Sequence, residues 1–255
     1  IVFMGTPDFS VPALEALVKA GHEIAAVVTQ PDQPKGRGKE VQMTPVQLQA
    51  LEYPIPVYQP VPVREEGFVP LLTEPAPEVV VVVAFGQILP KAVLEIPKLG
   101  CINIHASLLP RYRGAAPINW AILNGEKETG VTIMYMAQGL DTGDIISQVS
   151  THIGNQADAT VLFSRLAELG AGLLVRTFEQ IKQGTASRTA QDDSHSRYAP
   201  MLSKEMSPMD WDRSAQQLHD QVRGLVPWPS ATTVIDGVRC TVWSTTLTGE
   251  RTEKS

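Results

Sequence analysis

Short apolar runs alternate with segments of helical period along the first half of the chain. Residues 1–5 form an apolar strand, and Ser10 is placed to cap the following helix, with Pro12 in its first turn. Leu14, Leu17 and Val18 give that helix one buried stripe. Residues 24–29 read as a second strand, Thr44-Pro45 opens a helix to about Leu51, and residues 56–58 form a short strand. Residues 79–84 and 101–106 are two more strands, the first apolar enough to be central. Strand–helix–strand alternation predicts an α/β fold, a mostly parallel sheet with helices on both faces.

The pattern changes in the second half. Residues 115–124 read as a helix stopped by Gly125, and residues 130–136 and 145–152 as paired strands. Residues 158–182 are the clearest helix, with Leu162, Leu166, Leu169 and Leu173 in one stripe and Gly184 at its end. Residues 185–208 are rich in Ser, Asp, Thr and Arg and read as a linker. A helix over 214–225, broken by Pro227-Trp-Pro229, then leads to two strands around Asp236-Gly237, a strong hairpin signal. The expected division is an α/β domain over 1–184, a linker over 185–208 and a β module over 209–255. Two strands do not make a stable module alone, so the second domain is expected to be tiny or truncated here. The chain begins without Met, and a few upstream residues are expected.

Composition excludes some classes. Hydrophobic residues make up 43% and charged residues 19%, as in ordinary globular proteins. No apolar run reaches the roughly 18 residues of a membrane span, and no signal peptide is visible at the start. Cys101 and Cys240 are far apart and inside apolar runs, which suggests two buried free thiols in a reducing cytoplasm. No metal-ligand spacing is present, so no metal is expected. The net charge of −6 means that any face meeting phosphates must be local. Candidates are Lys35, Arg37 and Lys39, on a long Gly-containing loop read as joining a strand to a helix, and Arg111 with Arg113.

The chemistry concentrates in two stretches. In Asn103-Ile-His105, period-2 alternation sends the amide and the imidazole out of one strand face. Two unpaired polar groups in a core would cost about 1–3 kcal/mol each, so a satisfied core pair competes with a reactive one. The following Ser107-Leu-Leu-Pro110 lacks turn chemistry; it is either a packed connection or the lining of a cleft for a flat heterocycle. Downstream, Asp141 and Asp144 flank Thr142-Gly143. A carboxylate beside His105 would orient the ring and favour its charged form, and such an imidazole can donate to an oxyanion or move a proton. No nucleophilic Ser or Cys is placed for a covalent triad, so direct transfer fits better. The turn after the first strand holds one Gly where a dinucleotide fingerprint needs three, which disfavours NAD.

Asn-x-His with Ser-Leu-Leu-Pro, followed by Leu-Asp-Thr-Gly-Asp, resembles the 10-formyltetrahydrofolate-dependent formyltransferases. The resemblance runs from Phe3-Met-Gly-Thr-Pro-Asp-Phe9 to Trp228-Pro-Ser-Ala and Val242-Trp-Ser244, nearly the whole chain. Arg113-Gly-Ala-Ala-Pro-Ile118 and Lys35-Gly-Arg-Gly-Lys39 are most similar to members acting on methionyl-tRNA. The resemblance implies a Rossmann-like, doubly wound domain followed by an OB-like barrel. It implies that Asn103, His105 and Asp141 are catalytic, that Ser107, Leu108, Leu109 and Pro110 lie on the folate, and that Arg37 reaches the aminoacyl end of the tRNA. Lys35 and Lys39 flank it as further candidate tRNA contacts. The expected co-substrate is 10-formyltetrahydrofolate and the expected partner methionyl initiator tRNA. A cytoplasmic monomer without a membrane is expected. Formyl transfer to an amino-sugar nucleotide, hydrolysis of the formyl-folate, and a non-catalytic binding module are the competing readings.

Overall fold

A computed structural model describes residues 1–35, 40–60, 68–74 and 76–248. The first elements are β1 (Val2–Gly5), α1 (Val11–Lys19), β2 (Ala26–Val28), β3 (Gln33–Lys35), β4 (Glu40–Gln42), α2 (Pro45–Leu51) and β5 (Val57–Tyr58). Next come α3 (Phe68–Thr73), β6 (Val80–Val83), α4 (Lys91–Leu94), β7 (Cys101–His105), β8 (Arg113–Gly114) and α5 (Pro117–Leu123). The remainder is β9 (Glu128–Tyr135), β10 (Ile145–His152), α6 (Ala159–Lys182), β11 (Tyr198–Ala199), α7 (Ala215–Leu225), β12 (Ala231–Ile235) and β13 (Val238–Val242).

Seven strands form one sheet in the order β10-β9-β7-β6-β1-β2-β5. The strands from β5 to β7 run parallel, and β9 and β10 add to the β7 edge antiparallel. The four valines of β6 are all buried because the sheet is covered on both faces. One face carries Phe3, Val81, Ile102, Ile104 and Ile133 under α1, α2, α5 and α6. The other carries Met4, Val82 and Cys101 against Phe68 and Leu72 of α3 and Val93 of α4. Those two helices have only 6 and 4 residues. Asn103 and His105 share the parity of Cys101, so they leave β7 on this thinly covered face. A small C-terminal unit follows, with β12 and β13 antiparallel across Asp236-Gly237, both left-handed at φ 49° and 77°.

Two local expectations need correction. Ser10 does not cap α1 with its side chain; its buried hydroxyl donates to the Val83 carbonyl at 2.6 Å. A 3₁₀ turn over Asp8–Ser10 already puts Ser10 in helical backbone, and a buried hydroxyl bonds the nearest acceptor, here on β6. Cys240 is only half-buried, because the hairpin that carries it is largely exposed, while Cys101 is buried with its thiol pushed by desolvation up to about 12.

Gly170 sets how closely α6 approaches β7. A Cβ there would lie 3.0 Å from Ile104 Cγ2 and 3.4 Å from Val131 Cγ1. Gly170→Leu should therefore destabilise the protein by about 1–3 kcal/mol through overpacking. Gly154→Ala, which meets open space, should stay within about 0.5 kcal/mol. Urea denaturation of both variants checks this, and equal midpoints would contradict the close-packing argument.

Candidate active site

The carboxyl end of β7 fixes the first two groups. Asn103 pairs with Val82 and Met134 across the sheet, and His105 with Thr132. His105 is buried, and its Nε2 lies 2.8 Å from the Tyr112 carbonyl oxygen. A carbonyl only accepts, so Nε2 carries the proton and the neutral ring keeps its lone pair on Nδ1. That nitrogen faces Asp141 Oδ2 at 3.7 Å. The Asn103 side-chain amide has no hydrogen-bond partner among the described residues and is half-buried. A free amide there is a ready donor.

Asp141 stands in left-handed backbone at φ 52°, a conformation that Asp tolerates better than most residues. Its Oδ2 accepts from the Gly114 amide at 2.8 Å, while Oδ1 has no partner among the described residues. Asn103, His105 and Asp141 thus combine two donors or proton carriers with one partly free carboxylate. Such a set can stabilise an oxyanion and take a proton without a covalent intermediate.

The connection after β7 is nailed down by side chains of β9 and β10. Thr132 Oγ1 donates to the Ser107 carbonyl at 2.6 Å and accepts from the Leu109 amide at 3.1 Å and from Gln148 Nε2 at 2.8 Å. Gln148 also donates to the Leu109 carbonyl at 3.0 Å. Ser107 and Leu109 are buried, and the Ser107 hydroxyl donates to the Arg111 carbonyl at 2.6 Å. Leu108 and Pro110 are the two members of this stretch with side-chain surface left for a ligand.

Tyr112, whose carbonyl holds His105, is itself held through its ring. Its hydroxyl donates to Glu126 Oε1 at 2.6 Å, and Arg111 and Arg197 pair with the same carboxylate. Burial alone would raise the Glu126 carboxyl, but the Tyr112 and Arg111 hydrogen bonds, with both arginine charges, hold it below the usual range. Burial and the Glu126 bond push the Tyr112 hydroxyl up.

The stretch over 185–208 does more than link. β11 pairs with β8, and Gln191 reaches beneath the Asp141 loop. Its amide nitrogen donates to the Asp141 and Gly143 carbonyls at 2.8 and 2.7 Å. Its oxygen accepts from Arg113 Nε and Nη2 at 3.0 and 2.8 Å. Sequence reasoning missed Gln191 and Gly114, because nothing in a polar, low-hydropathy stretch or in a backbone amide marks a site.

The switch in strand order between β1 and β6 places a crevice outside their carboxyl ends, next to that of β7. Exposed Ile88 follows β6, and exposed Leu140 precedes Asp141, offering apolar surface at the ends of these strands. A separate cavity of about 410 Å³, lined by Ile118, Phe163, Leu202 and Trp228 among others, shares no residue with this centre. Arg37 and Lys39 lie outside the described residues, as does the side chain of Lys35. The stretch that carries them is flanked by two short antiparallel strands, β3 and β4, rather than by a strand and a helix. Among the described residues no group of three or more His, Cys, Asp or Glu could hold a metal, and no helix is long and apolar enough to cross a membrane.

The chain belongs to a class of one-carbon transfer enzymes, the formyl transferase family: residues 1–178 match its "Formyl transferase" model and residues 201–255 its "Formyl transferase, C-terminal domain" model. Among curated relatives, the methionyl-tRNA formyltransferase of Clostridioides difficile (strain 630) is 50% identical over 254 residues, covering 100% of this chain and 82% of the relative. That of Pelobacter propionicus is 55% identical over 237 residues, covering 93% and 74%. The fold is also that of an N-formyltransferase from Helicobacter canadensis, solved in complex with folinic acid and dTDP-3-aminofucose, with TM-score 0.74, 22% identity, and 98% and 88% of the two chains covered. HypX from Aquifex aeolicus, solved with tetrahydrofolic acid, gives TM-score 0.68 at 16% identity over 93% and 36%.

Glu126 makes the support of His105 acid-sensitive. Its carboxylate is favoured in the folded state, so its contribution is complete above the ordinary value of 4.5 and is lost as pH falls through the lower folded value. Glu126→Gln should cost about 1–3 kcal/mol of stability at neutral pH, with the gap from wild type closing below about pH 4.5. Paired denaturation curves from pH 8 to pH 3 measure the gap; one that does not narrow in acid would contradict the assignment.

Proposed function

We propose that the chain transfers the formyl group of 10-formyltetrahydrofolate to the α-amine of methionine on initiator tRNA. One observation carries this reading: a free amide on Asn103 and a tautomer-fixed His105 leave the same strand face beside Asp141. The curated relatives named for this reaction, 50–55% identical, favour methionyl-tRNA as acceptor. The amino-sugar reading rests on structures only 17–22% identical, which speak for fold alone.

In this reading the free amine attacks the formyl carbon, and the carbonyl oxygen gains the negative charge. Asn103 Nδ2 donates to that oxygen, and so does His105 Nδ1 once the ring, neutral in the free protein, has taken up a second proton from solvent. The proton of the attacking amine passes to Asp141 Oδ1, directly or through water. Collapse breaks the bond to folate nitrogen N10, which takes up the proton held by Asp141, and releases the formyl-amide and tetrahydrofolate, with Asp141 again a carboxylate. Low-dielectric surroundings strengthen both donors. The folate lies in the crevice at the ends of β1, β6 and β7, against Leu108 and Pro110, with Ser107 and Leu109 shaping it from beneath. Residues 1–184 carry the reacting groups, 185–208 lead to the second unit while bracing the Asp141 loop, and 209–255 belong to the second unit. Lys35, Arg37 and Lys39 meet the tRNA, and the enzyme acts in the cytoplasm as a monomer.

Asn103→Ala and His105→Ala should each lower turnover by roughly 10²–10⁴ while leaving folate binding within a few-fold. Offering methionyl-tRNA, an amino-sugar nucleotide and water as acceptors in parallel decides the substrate. Preferred formylation of the sugar would sink the tRNA reading, and near-normal turnover of either variant the catalytic one.

Arg37→Ala should weaken transfer to methionyl-tRNA far more than folate binding, with the difference from wild type shrinking as salt rises. A salt-independent defect, or none, would remove Arg37 from the tRNA contact.

A further inference from the structure

The loop that presents Asp141 is unusual in how little of its own backbone secures it. Asp141 is left-handed, and a Cβ on Gly143 would sit 1.7 Å from the Tyr135 carbonyl oxygen, so the chain is pressed against β9 there. The Tyr135 amide bonds the Asp144 carbonyl at 2.9 Å, and Arg188 pairs with the Asp144 carboxylate at 3.1 Å. Both tie down the far end of the loop. The carbonyls of Asp141 and Gly143 are instead held by one group, the Gln191 amide, at 2.8 and 2.7 Å. Gln191 also contacts Met134 Sδ at 3.9 Å.

The opposite end of Gln191 is fixed as firmly. Its oxygen takes two bonds from Arg113, whose Nη2 also reaches Asp193 Oδ1 at 2.7 Å. Arg113 immediately precedes Gly114, whose amide holds Asp141 Oδ2. Gln191 therefore closes a ring. One side grips the main chain of Asp141, and the other grips the residue next to the amide that grips its carboxylate. A primary amide suits this place: it donates two protons on one side and accepts on the other, which neither Glu nor Lys does.

We propose that Gln191 is a positioning residue for formyl transfer, acting through Asp141 by fixing the carboxylate relative to His105 Nδ1. This rests on the assignment of Asp141 to proton transfer made above. The main-chain conformation of Asp141 sets where its carboxylate points, and displacement on the order of 1 Å is enough to cost about a hundredfold in rate. The brace comes from the stretch that leads to the second unit, so the catalytic geometry depends on residues beyond α6.

The test is steady-state and single-turnover kinetics on the full chain for Gln191→Met, Gln191→Glu, Asp141→Asn and Asp141→Asn/Gln191→Met. Gln191→Met keeps the shape and removes all the hydrogen bonds; kcat should fall about 10–100-fold, with KM for the folate within about threefold. Gln191→Glu keeps the Arg113 pair but turns a carboxylate oxygen on two carbonyls, and should lose as much. In the Asp141→Asn background, Gln191→Met should cost less than about threefold more, since its effect passes through a carboxylate already gone. If the Met variant does not fold, Gln191→Asn, one methylene short, takes its place in the same cycle. A full, independent loss in the Asp141→Asn background would overturn this inference and leave the assignment of Asp141 standing, as would wild-type turnover in Gln191→Glu. Near-normal turnover of Asp141→Asn alone would overturn the assignment and the inference together.

Discussion

The bond from His105 Nε2–H to the Tyr112 carbonyl is the contact on which the rest of the centre depends. A buried imidazole has two nitrogens, and burying either without a partner is costly. Giving one to a main-chain carbonyl at 2.8 Å fixes the tautomer and the ring plane, and leaves the other pointing at Asp141. The carbonyl must therefore not move. Tyr112 is left-handed at φ 62°, and its phenol is tied through Glu126 to Arg111 and Arg197. A surface-facing ion cluster thus serves a buried hydrogen bond.

Around this bond the fold divides polar from apolar by strand parity. On β7, Ile102 and Ile104 fill the core under α6, while Cys101, Asn103 and His105 face the side covered by the short helices. The same sheet that excludes water from the one set holds the other at its carboxyl edge. Thr132 and Gln148, on neighbouring strands, then bond the Ser107 carbonyl and both main-chain groups of Leu109 in the connection beyond. Asn103 is the exception. Among the described residues its amide has no partner, while the polar groups of the connection beside it are paired, and that contrast marks it as poised for something outside the chain.

What the sequence makes legible follows from periodicity. The parallel strands, the stripe of α6, the helix over 214–225 and the Asp236-Gly237 hairpin all rest on local patterns, and each is present. Asn103 and His105 announce themselves because two polar residues at period two interrupt a buried strand. Asp141 is legible only as a loop acid; its approach to His105 is tertiary. The Ser10 cap fails because a preceding 3₁₀ turn, invisible in composition, redirects the hydroxyl to β6. Gln191 is illegible for a deeper reason. A polar stretch with no hydrophobic period reads as a linker whether it hangs in solvent or lies along a site, and only the paired β8 and β11 tell the two apart.

Charge completes the picture. The chain carries a net charge of −6, and its proposed partner is a polyanion. The arginines around the centre do not resolve this. Arg111 and Arg197 hold Glu126, Arg113 holds Gln191 and Asp193, and Arg188 holds Asp144 while lying over the Tyr135 ring at 4.1 Å. Each is already engaged in fixing a loop, and drawing one off to a phosphate would loosen what it fixes. Phosphate attraction without disturbance of the centre therefore has to come from cations elsewhere in the sequence, and Lys35, Arg37 and Lys39 form a cluster with no acidic residue interleaved. Where that cluster meets the acceptor, as proposed, the separation has a physical advantage. Salt-dependent capture of the acceptor and salt-insensitive, buried chemistry can each be strong without one titrating or screening the other.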